Sequence, residues 1–286
     1  MGDKYKAETL KHISRFLLIK ALEEAKWEEA STIVYNDETY ARIPNSQNDL
    51  PLHIAVRLGC TPRLVELLLT AYPDSICIKD HEGSLALHLS VRHHKGRLWV
   101  NMREITMILY RAFPQAISTP DGQGSIALHV AIRYQGPDEM IRYILQAHLP
   151  GLSVKDNLGN LALHLAIQFE ASYMVIYDIL RLNPSAASVS NERGLTPLHR
   201  VAFFNSSVEI LQLILQAHPA AAYVKDKRGN LPIHLAFLAN NGPPDEAKLK
   251  IWLAANPTGL SVMNNAKCTP LSIFHVPQEN SVEDFI

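Results

Sequence analysis

The feature that most constrains the fold is a four-residue motif ending in histidine, which recurs along most of the chain. Its first copy is Leu50-Pro51-Leu52-His53, and in every copy an apolar residue precedes the last position. The motif histidines are His53, His88, His129, His164, His199 and His234, and a degenerate seventh copy ends in Ser272. The intervals between these last positions are 35, 41, 35, 35, 35 and 38 residues. This regularity predicts an array of similar structural units.

Turn-forming residues keep fixed distances from the motif. Eight residues before the histidine lies an Asp or Asn, namely Asp80, Asp121, Asp156, Asn191 or Asp226. Five residues before it lies Gly83, Gly124, Gly159, Gly194 or Gly229. This pair is typical of a turn, because the side chain bonds nearby backbone and glycine tolerates positive φ.

A proline also recurs, fifteen residues before the last motif position, at Pro73, Pro114, Pro184, Pro219 and Pro257. Each follows an apolar segment with helical spacing, so the proline is expected to mark the end of that helix. Each unit is therefore predicted to contain a turn, an inner helix, a loop and an outer helix that ends at the proline.

With these motifs, residues 48 to 275 resemble the ankyrin-repeat family, whose signature is Thr-Pro-Leu-His-x-Ala on a period of about 33 residues. The resemblance implies an all-α fold, a solenoid of stacked antiparallel helix pairs joined by hairpin-like turns. It also implies that the motif histidines are structural and hydrogen-bond backbone beside the turn.

The resemblance suggests a division of the chain into three parts. Residues 1–47 have a helical pattern without the motif and are interpreted as a divergent N-terminal capping repeat. Residues 48–266 hold six ankyrin-type repeats, and residues 267–286 form an incomplete C-terminal capping repeat. Terminal repeats of such arrays need a polar outer face.

The start of the inner helix departs from the family pattern. The signature threonine, three residues before the histidine, is Leu or Ile in five copies. In those copies the preceding residue is polar: Asp49, Ser84, Ser125, Asn160 or Asn230. One hypothesis is that the helix cap has moved back by one residue; the alternative is that these are simply polar turn residues.

Composition excludes several classes of function. The chain has 27 basic and 28 acidic residues, and this balance argues against a nucleic-acid surface or a membrane-surface protein. No apolar run approaches the roughly 18 residues of a membrane span. The three cysteines, Cys60, Cys77 and Cys268, are interpreted as reduced core thiols, so we expect a location in the cytoplasm or nucleus. We also expect the protein to be a monomer.

No pattern in the sequence predicts catalysis. Phosphate loops, nucleophile elbows and metal-binding helix motifs are missing from the sequence. The motif histidines of neighbouring repeats would lie about 8–10 Å apart, too far to share one zinc ion. We therefore expect a protein that is not an enzyme and that needs no metal or cofactor.

The resemblance implies a concave face lined by the turn tips and by the ends of the inner helices. Four and five residues after the histidines, the first half carries arginine and the middle carries aromatic residues, both common at interfaces. The candidate partner-binding residues are Arg57, Arg92, His93, Arg133, Tyr134, Gln168, Phe169, Phe203 and Phe204. The alternatives are a solvated face for the arginines and core packing for Phe169 and Phe204.

These residues predict a noncatalytic scaffold or adaptor that binds a protein segment with acidic and apolar halves. The alternative is a recognition module of a larger enzyme or receptor whose effector domain is absent from this chain.

Overall fold

The computed structural model describes residues 17–92, 99–240 and 242–273, apart from the side chains of residues 99 and 100. The chain divides into two compact units, Met1–His148 and Leu149–Ile286. Every regular element in the described residues is a helix, which confirms the all-α prediction. None of these helices is both long and apolar enough to span a bilayer. The predicted limits 1–47, 48–266 and 267–286 remain predictions.

The first unit contains helix pairs that stack in sequence order. The inner helices α3, α5 and α7 pack on one another in turn, and so do the outer helices α2, α4 and α6. Its helices are α1 (residues 17–23), α2 (Trp27–Asn36), α3 (Pro51–Arg57), α4 (Pro62–Ala71), α5 (Ala86–Val91), α6 (Trp99–Ala112), α7 (Ala127–Arg133) and α8 (Asp138–Ala147).

The second unit repeats this arrangement. The inner helix α11 packs between α9 and α13, and the outer helix α12 packs between α10 and α14. The helices are α9 (Ala162–Gln168), α10 (Tyr173–Leu182), α11 (Pro197–Phe203), α12 (Val208–Ala217), α13 (Pro232–Ala239) and α14 (Glu246–Ala255).

The inner helices are short and buried on all sides. Pro197 begins α11 at a position where a backbone N–H has no helical partner, so the proline ring is tolerated. In four of the repeats the sixth residue after the histidine adopts a left-handed conformation just beyond the end of the helix. That residue is Gly59 in the first repeat (φ 76°), but Gln135, Glu170 and Asn205 in later ones (φ 53°, 53° and 48°).

Each turn is held by the Asp or Asn eight residues before the motif histidine. Asp80 Oδ1 accepts the backbone N–H groups of Glu82 at 3.0 Å and Ser84 at 2.7 Å. The same contacts recur at Asp121, Asp156, Asn191 and Asp226. Gly83 has φ +76°, and a Cβ there would lie 2.8 Å from the nitrogen of Gly122 in the next turn. Glycine is therefore required both by the backbone angle and by the close approach of the neighbouring turn.

Two further turns of this type lie at the ends of the array. Asn45 accepts the N–H groups of Gln47 and Asp49, and Asn264 accepts that of Cys268. The glycine position is taken there by Asn48 (φ 69°) and Lys267 (φ 60°). The sequence pattern missed these turns because it relied on glycine.

The outer helices end as the prolines predict. Helix α4 ends two residues before Pro73, and α6, α10, α12 and α14 end at the same distance before their prolines. The proline then begins a short 3-10 helix, such as Pro73–Cys77 or Pro184–Ser188, that leads back to the turn. This element was not predicted from the sequence.

The hypothesis of a shifted helix cap is wrong. The residue that precedes the inner helix is Leu or Ile in these repeats, and its side chain makes no capping hydrogen bond. In three of these repeats the polar residue before it, Asp49, Asn160 or Asn230, contacts the turns instead. Asn160 Nδ2 donates to Asp156 Oδ2 at 3.2 Å, and Asn160 Oδ1 accepts from Asn191 of the next turn at 2.9 Å. Asn230 lies in the same way between Asp226 and Asn264.

Candidate functional site

The motif histidines join each inner helix to the following turn. In five of the repeats, Nε2 lies 2.9–3.3 Å from a backbone carbonyl of the next repeat. In the same repeats, Nδ1 accepts the backbone N–H of the residue that precedes the helix, for example that of Leu161 for His164 at 3.2 Å. All six histidines, including His129, are fully buried.

This bonding fixes the tautomer. An Nδ1 that accepts a hydrogen bond carries no proton, so Nε2 bears the proton and donates it to the carbonyl. Burial lowers the pKa of His164 and of His199 to about 4, and it lowers the pKa of His53, His88 and His234 in the same direction. The described bonds therefore give these histidines a structural role in their neutral form.

Arg57, a candidate partner-binding residue, lies in a cluster of charges within the first unit. Its Nη1 is 2.7 Å from Asp49 Oδ2 and its Nη2 is 2.8 Å from Asp80 Oδ2. Both carboxylates are fully buried, whereas the Arg57 side chain is 28% exposed. The guanidinium is thus already paired with two carboxylates, which leaves little of its charge for a partner.

His81 completes this cluster. Its Nδ1 is 2.7 Å from Asp49 Oδ1, and this hydrogen bond raises the pKa of His81. Burial pushes the pKa of Asp49 upward, but the hydrogen bonds from Arg57 and His81 outweigh burial and hold it below its usual value. Among the described residues, one group of three His, Cys, Asp or Glu side chains is close enough together to hold a metal ion, and it consists of Asp49, Asp80 and His81. Because Arg57 bridges both carboxylates, an ion there would have to displace it.

The other two candidate arginines, Arg92 and Arg133, retain access to solvent. Arg92 donates to Glu82 Oε2 at 2.6 Å, and its guanidinium lies 5.2 Å from the ring centroid of Tyr134 in the next repeat. Arg133 donates to Gln123 Oε1 at 2.5 Å. The Arg92 side chain is 23% exposed and Tyr134 is 40% exposed, so arginine and aromatic surface are presented together. The remaining candidate of this unit, His93, lies outside the described residues.

The candidates of the second unit are partly exposed. Gln168, Phe169, Phe203 and Phe204 are neither buried nor fully exposed. The rings of Phe203 and Phe204 meet edge to face at 5.2 Å. Phe204 also lines a cleft of about 250 Å³ beside the loops between inner and outer helices, together with Ile167, Glu170, Ile176 and Ile210. This part of the surface therefore offers apolar contacts without a concentration of charge.

The fold of this chain is similar to that of a solved structure. The chain is similar to the crystal structure of the ankyrin repeat domain of Bcl-3, a unique member of the IkappaB protein family. The TM-score is 0.59 at 22% identity, and the match covers 80% of this chain and 95% of that chain. This chain has the ankyrin-repeat fold. No protein-family model and no curated protein matches the sequence, so the similarity rests on structure.

The ankyrin-repeat fold confirms the resemblance that the motif predicted. The structure also shows a buried arginine that the motif did not reveal. Arg200 directly follows His199 and is 1% exposed. At this position the other repeats carry Ile54, Leu89, Val130, Leu165 and Leu235. Burial lowers the pKa of Arg200 to about 10, and its guanidinium lies 5.9 Å from the Phe204 ring centroid. Alignment of the repeats on their histidines would have revealed this substitution.

The cysteines of this ankyrin-repeat chain differ in exposure. Cys60 and Cys268 are buried, as predicted, but Cys77 is exposed, so the prediction of three core thiols is wrong for Cys77. Burial raises the pKa of the Cys60 thiol to about 12, which keeps it protonated.

Proposed function

We propose that this protein is a noncatalytic scaffold or adaptor that binds another protein through the turn tips and the ends of its inner helices. The observation that carries the proposal is the Arg92–Tyr134 pair. Two side chains from neighbouring repeats meet at 5.2 Å and remain accessible on a rigid helical scaffold. Arginine and tyrosine are the residue types most enriched among interface anchors.

The two units favour different chemistry in a partner. In the first unit, Arg92 donates to Glu82 and Arg133 donates to Gln123 at the surface, and each guanidinium has further N–H groups that can bind a carboxylate of a partner. In the second unit, Phe169, Phe203 and Phe204 supply apolar area. We therefore propose that acidic side chains of the partner bind the first unit and apolar side chains bind the second.

We further propose that the protein acts as a monomer in the cytoplasm or nucleus. The three free cysteines support this compartment, because secreted proteins usually carry disulfides. Light scattering of the purified protein tests the oligomeric state; a stable dimer at micromolar concentration would contradict it.

The experiment is a selection of peptides from a displayed random library against the full chain, followed by affinity measurements. We expect enrichment of acidic and aromatic or aliphatic residues. Replacement of Arg92 and Arg133 by alanine should weaken binding of the selected acidic peptides by about tenfold, because each exposed charged contact contributes about 0.7 kcal/mol.

The matched control replaces Arg103 and Arg111, two exposed arginines of the outer helix α6, with alanine. This variant changes the net charge equally and should bind as the parent does. If both double variants lose affinity equally, or neither does, the first-unit surface is not the binding site.

A further inference from the structure

Three successive turns of the second unit concentrate positive charge on one edge. In residues 190–195, 223–229 and 262–268, the exposed charged side chains comprise five cations and one acid, Glu192. The cations are Arg193, Lys225, Lys227, Arg228 and Lys267. The other acid of these segments, Asp226, is buried and accepts the backbone N–H groups of its own turn. We call these five cations the basic edge.

Backbone hydrogen bonds hold the three turns side by side. Lys227 N donates to Arg193 O at 3.1 Å, and Asn265 N donates to Arg228 O at 3.0 Å. Each bond joins the tip of one turn to the tip of the next, so the cations that flank these bonds form a row. The row is fixed by main chain and does not depend on flexible loops.

Apolar side chains lie next to this row. Tyr223 is 56% exposed and Met263 is 57% exposed. Lys225 Nζ donates to the carbonyl of Met263 at 3.2 Å, which places a cation directly beside the exposed methionine. A ligand along this edge would therefore meet both charge and apolar surface.

The charge is a local property of the second unit. The whole chain has a net charge of -1, and the corresponding turns of the first unit, residues 79–84 and 120–125, contain Lys79 as their one Lys or Arg. A nucleic-acid surface usually comes with a large basic excess over the whole domain. The local charge, the small number of cations and the neighbouring methionine favour an acidic protein segment as the occupant.

The spacing of the turns sets the spacing of the acidic groups. Packed helices lie about 8–10 Å apart, so neighbouring turns are separated by about the same distance. An extended chain in the polyproline II conformation has three residues per turn and advances about 3.1 Å per residue, so every third side chain faces the same way and three residues match one repeat. A partner with carboxylates at every third position would place one opposite each turn.

From these observations we propose that the basic edge docks an extended acidic segment of a partner protein, with carboxylates three residues apart and an apolar residue among them. The proposal goes beyond the first-unit surface described above, because it assigns a second, separate docking site to different residues.

The test is fluorescence anisotropy of the full chain with a labelled nine-residue peptide. The peptide carries glutamate at its first, fourth and seventh positions, leucine at its second and serine elsewhere. We expect saturable binding that weakens as salt rises, because exposed charges are screened. A peptide with glutamine in place of glutamate should bind at least tenfold more weakly.

A pair of charge reversals locates the site. Lys227→Glu should weaken the acidic peptide by about tenfold, since it replaces an attraction by a repulsion. Lys250→Glu makes the same change on the outer helix α14, where the side chain is 74% exposed, and should alter affinity less than twofold. Circular dichroism verifies that both variants fold.

The possible results separate this proposal from the proposed function. Retention of peptide binding in the variant with alanine at Arg92 and Arg133, together with its loss in Lys227→Glu, supports a separate basic edge. Three results would overturn the basic edge. They are equal losses in Lys227→Glu and Lys250→Glu, no binding at millimolar peptide, and tighter binding of oligothymidylate or phosphatidylserine vesicles than of the peptide at 150 mM salt. None of the three bears on the Arg92 surface.

Discussion

The two units bury polar side chains at the same position of the repeat, but the charge of these side chains differs. Four residues before the motif histidine, three repeats bury a polar side chain that hydrogen-bonds neighbouring turns, namely Asp49, Asn160 and Asn230. In the first unit Asp49 is charged and pairs with Arg57 and His81. In the second unit Asn160 and Asn230 are neutral and hydrogen-bond Asp or Asn side chains of both turns.

The histidines themselves differ in a related way. In the first unit Nε2 of His53 and His88 contacts the carbonyl that lies ten residues before the next motif position, in Ile78 and Thr119. In the second unit the acceptor lies four residues before it, as in Leu195 for His164.

At these positions the repeat fixes the geometry of the buried polar side chain but not its charge. A buried ion pair contributes little net stability, yet it becomes strongly destabilising when one partner is removed. A neutral amide is less sensitive, because an unpaired amide has a smaller desolvation penalty than an unpaired charge. The units should therefore respond differently to substitution and to pH.

Acid should have the largest effect, and it should act on the second unit through its histidines. The folded-state pKa of His164 and of His199 is about 4, below the ordinary value of 6.5, so the unfolded chain binds more protons between these values. The free energy of unfolding should fall by about 3 kcal/mol for each histidine as pH drops from 6.5 to 4. Fluorescence of Trp252 during urea unfolding reports this, after Trp27 and Trp99 are replaced by phenylalanine.

The first unit should respond to mild acid in a more complex way. Its histidines His53 and His88 also have lowered pKa values, but the pKa of His81 is raised by its hydrogen bond to Asp49. The stabilisation from His81 is therefore present at low pH and is lost as pH rises through its folded-state pKa. Equal stability of the second unit at pH 5 and pH 7 would contradict the histidine prediction.

Among single substitutions in the two units, replacement of Arg57 should lower the free energy of unfolding most. Arg57→Met leaves two buried carboxylates without their cation, and we expect the free energy of unfolding to fall by about 3–5 kcal/mol. Asn160→Ala removes neutral hydrogen bonds and should lower it by about 1–3 kcal/mol. Urea unfolding of both variants measures the difference; a smaller loss for Arg57→Met would refute the distinction between the units.

The charged arrangement can be transferred to the second unit. Gln168 occupies the position that corresponds to Arg57, and Asn160 the one that corresponds to Asp49. Asn160→Asp alone places a second carboxylate beside Asp156 and should be destabilising by about 2 kcal/mol. Addition of Gln168→Arg should restore at least half of this loss, whereas Gln168→Arg alone should be nearly neutral. A double-mutant cycle by thermal unfolding gives the coupling, and additive effects would show that the geometry does not transfer.

Substitutions in the two turns at the ends of the array should change the free energy of unfolding least. Lys267 and Asn48 both occupy a position with positive φ, but Asn tolerates this conformation and Lys does not. Lys267→Gly should raise the free energy of unfolding by about 1 kcal/mol, and Asn48→Gly by only a few tenths. Gly229→Ala is a control that should lower the free energy of unfolding, because the added Cβ would lie 2.8 Å from the nitrogen of Asn265. Equal effects of the first two substitutions would exclude backbone strain as the cause.

The parts of the fold that depend on residues close in sequence could be predicted. The turn, the inner helix and the end of the outer helix all follow from groups within fifteen residues of one another. The role of the polar residue before the inner helix could not be predicted, because Asn160 accepts a hydrogen bond from Asn191, 31 residues further along the chain.

The candidate site was harder to predict for the same reason. Arg57 occupies its predicted place after the motif, but its contact with Asp80 depends on how closely two repeats pack. Alignment of the repeats shows Arg200 at a position that is apolar in the others, but it does not show that the side chain is buried or that it lies beside Phe204. Side-chain pairing between repeats requires the structure.

The histidine link has a consequence for how such a chain can change over generations. In the five repeats where this bond is described, its acceptor is main chain, supplied by residues as different as Ile78, Thr119, Leu195, Asn230 and Cys268. A duplicated or deleted repeat would therefore meet a suitable carbonyl in whichever neighbour it acquired. Gene duplication can lengthen or shorten this protein without a matching substitution, while the exposed positions remain available for new partners.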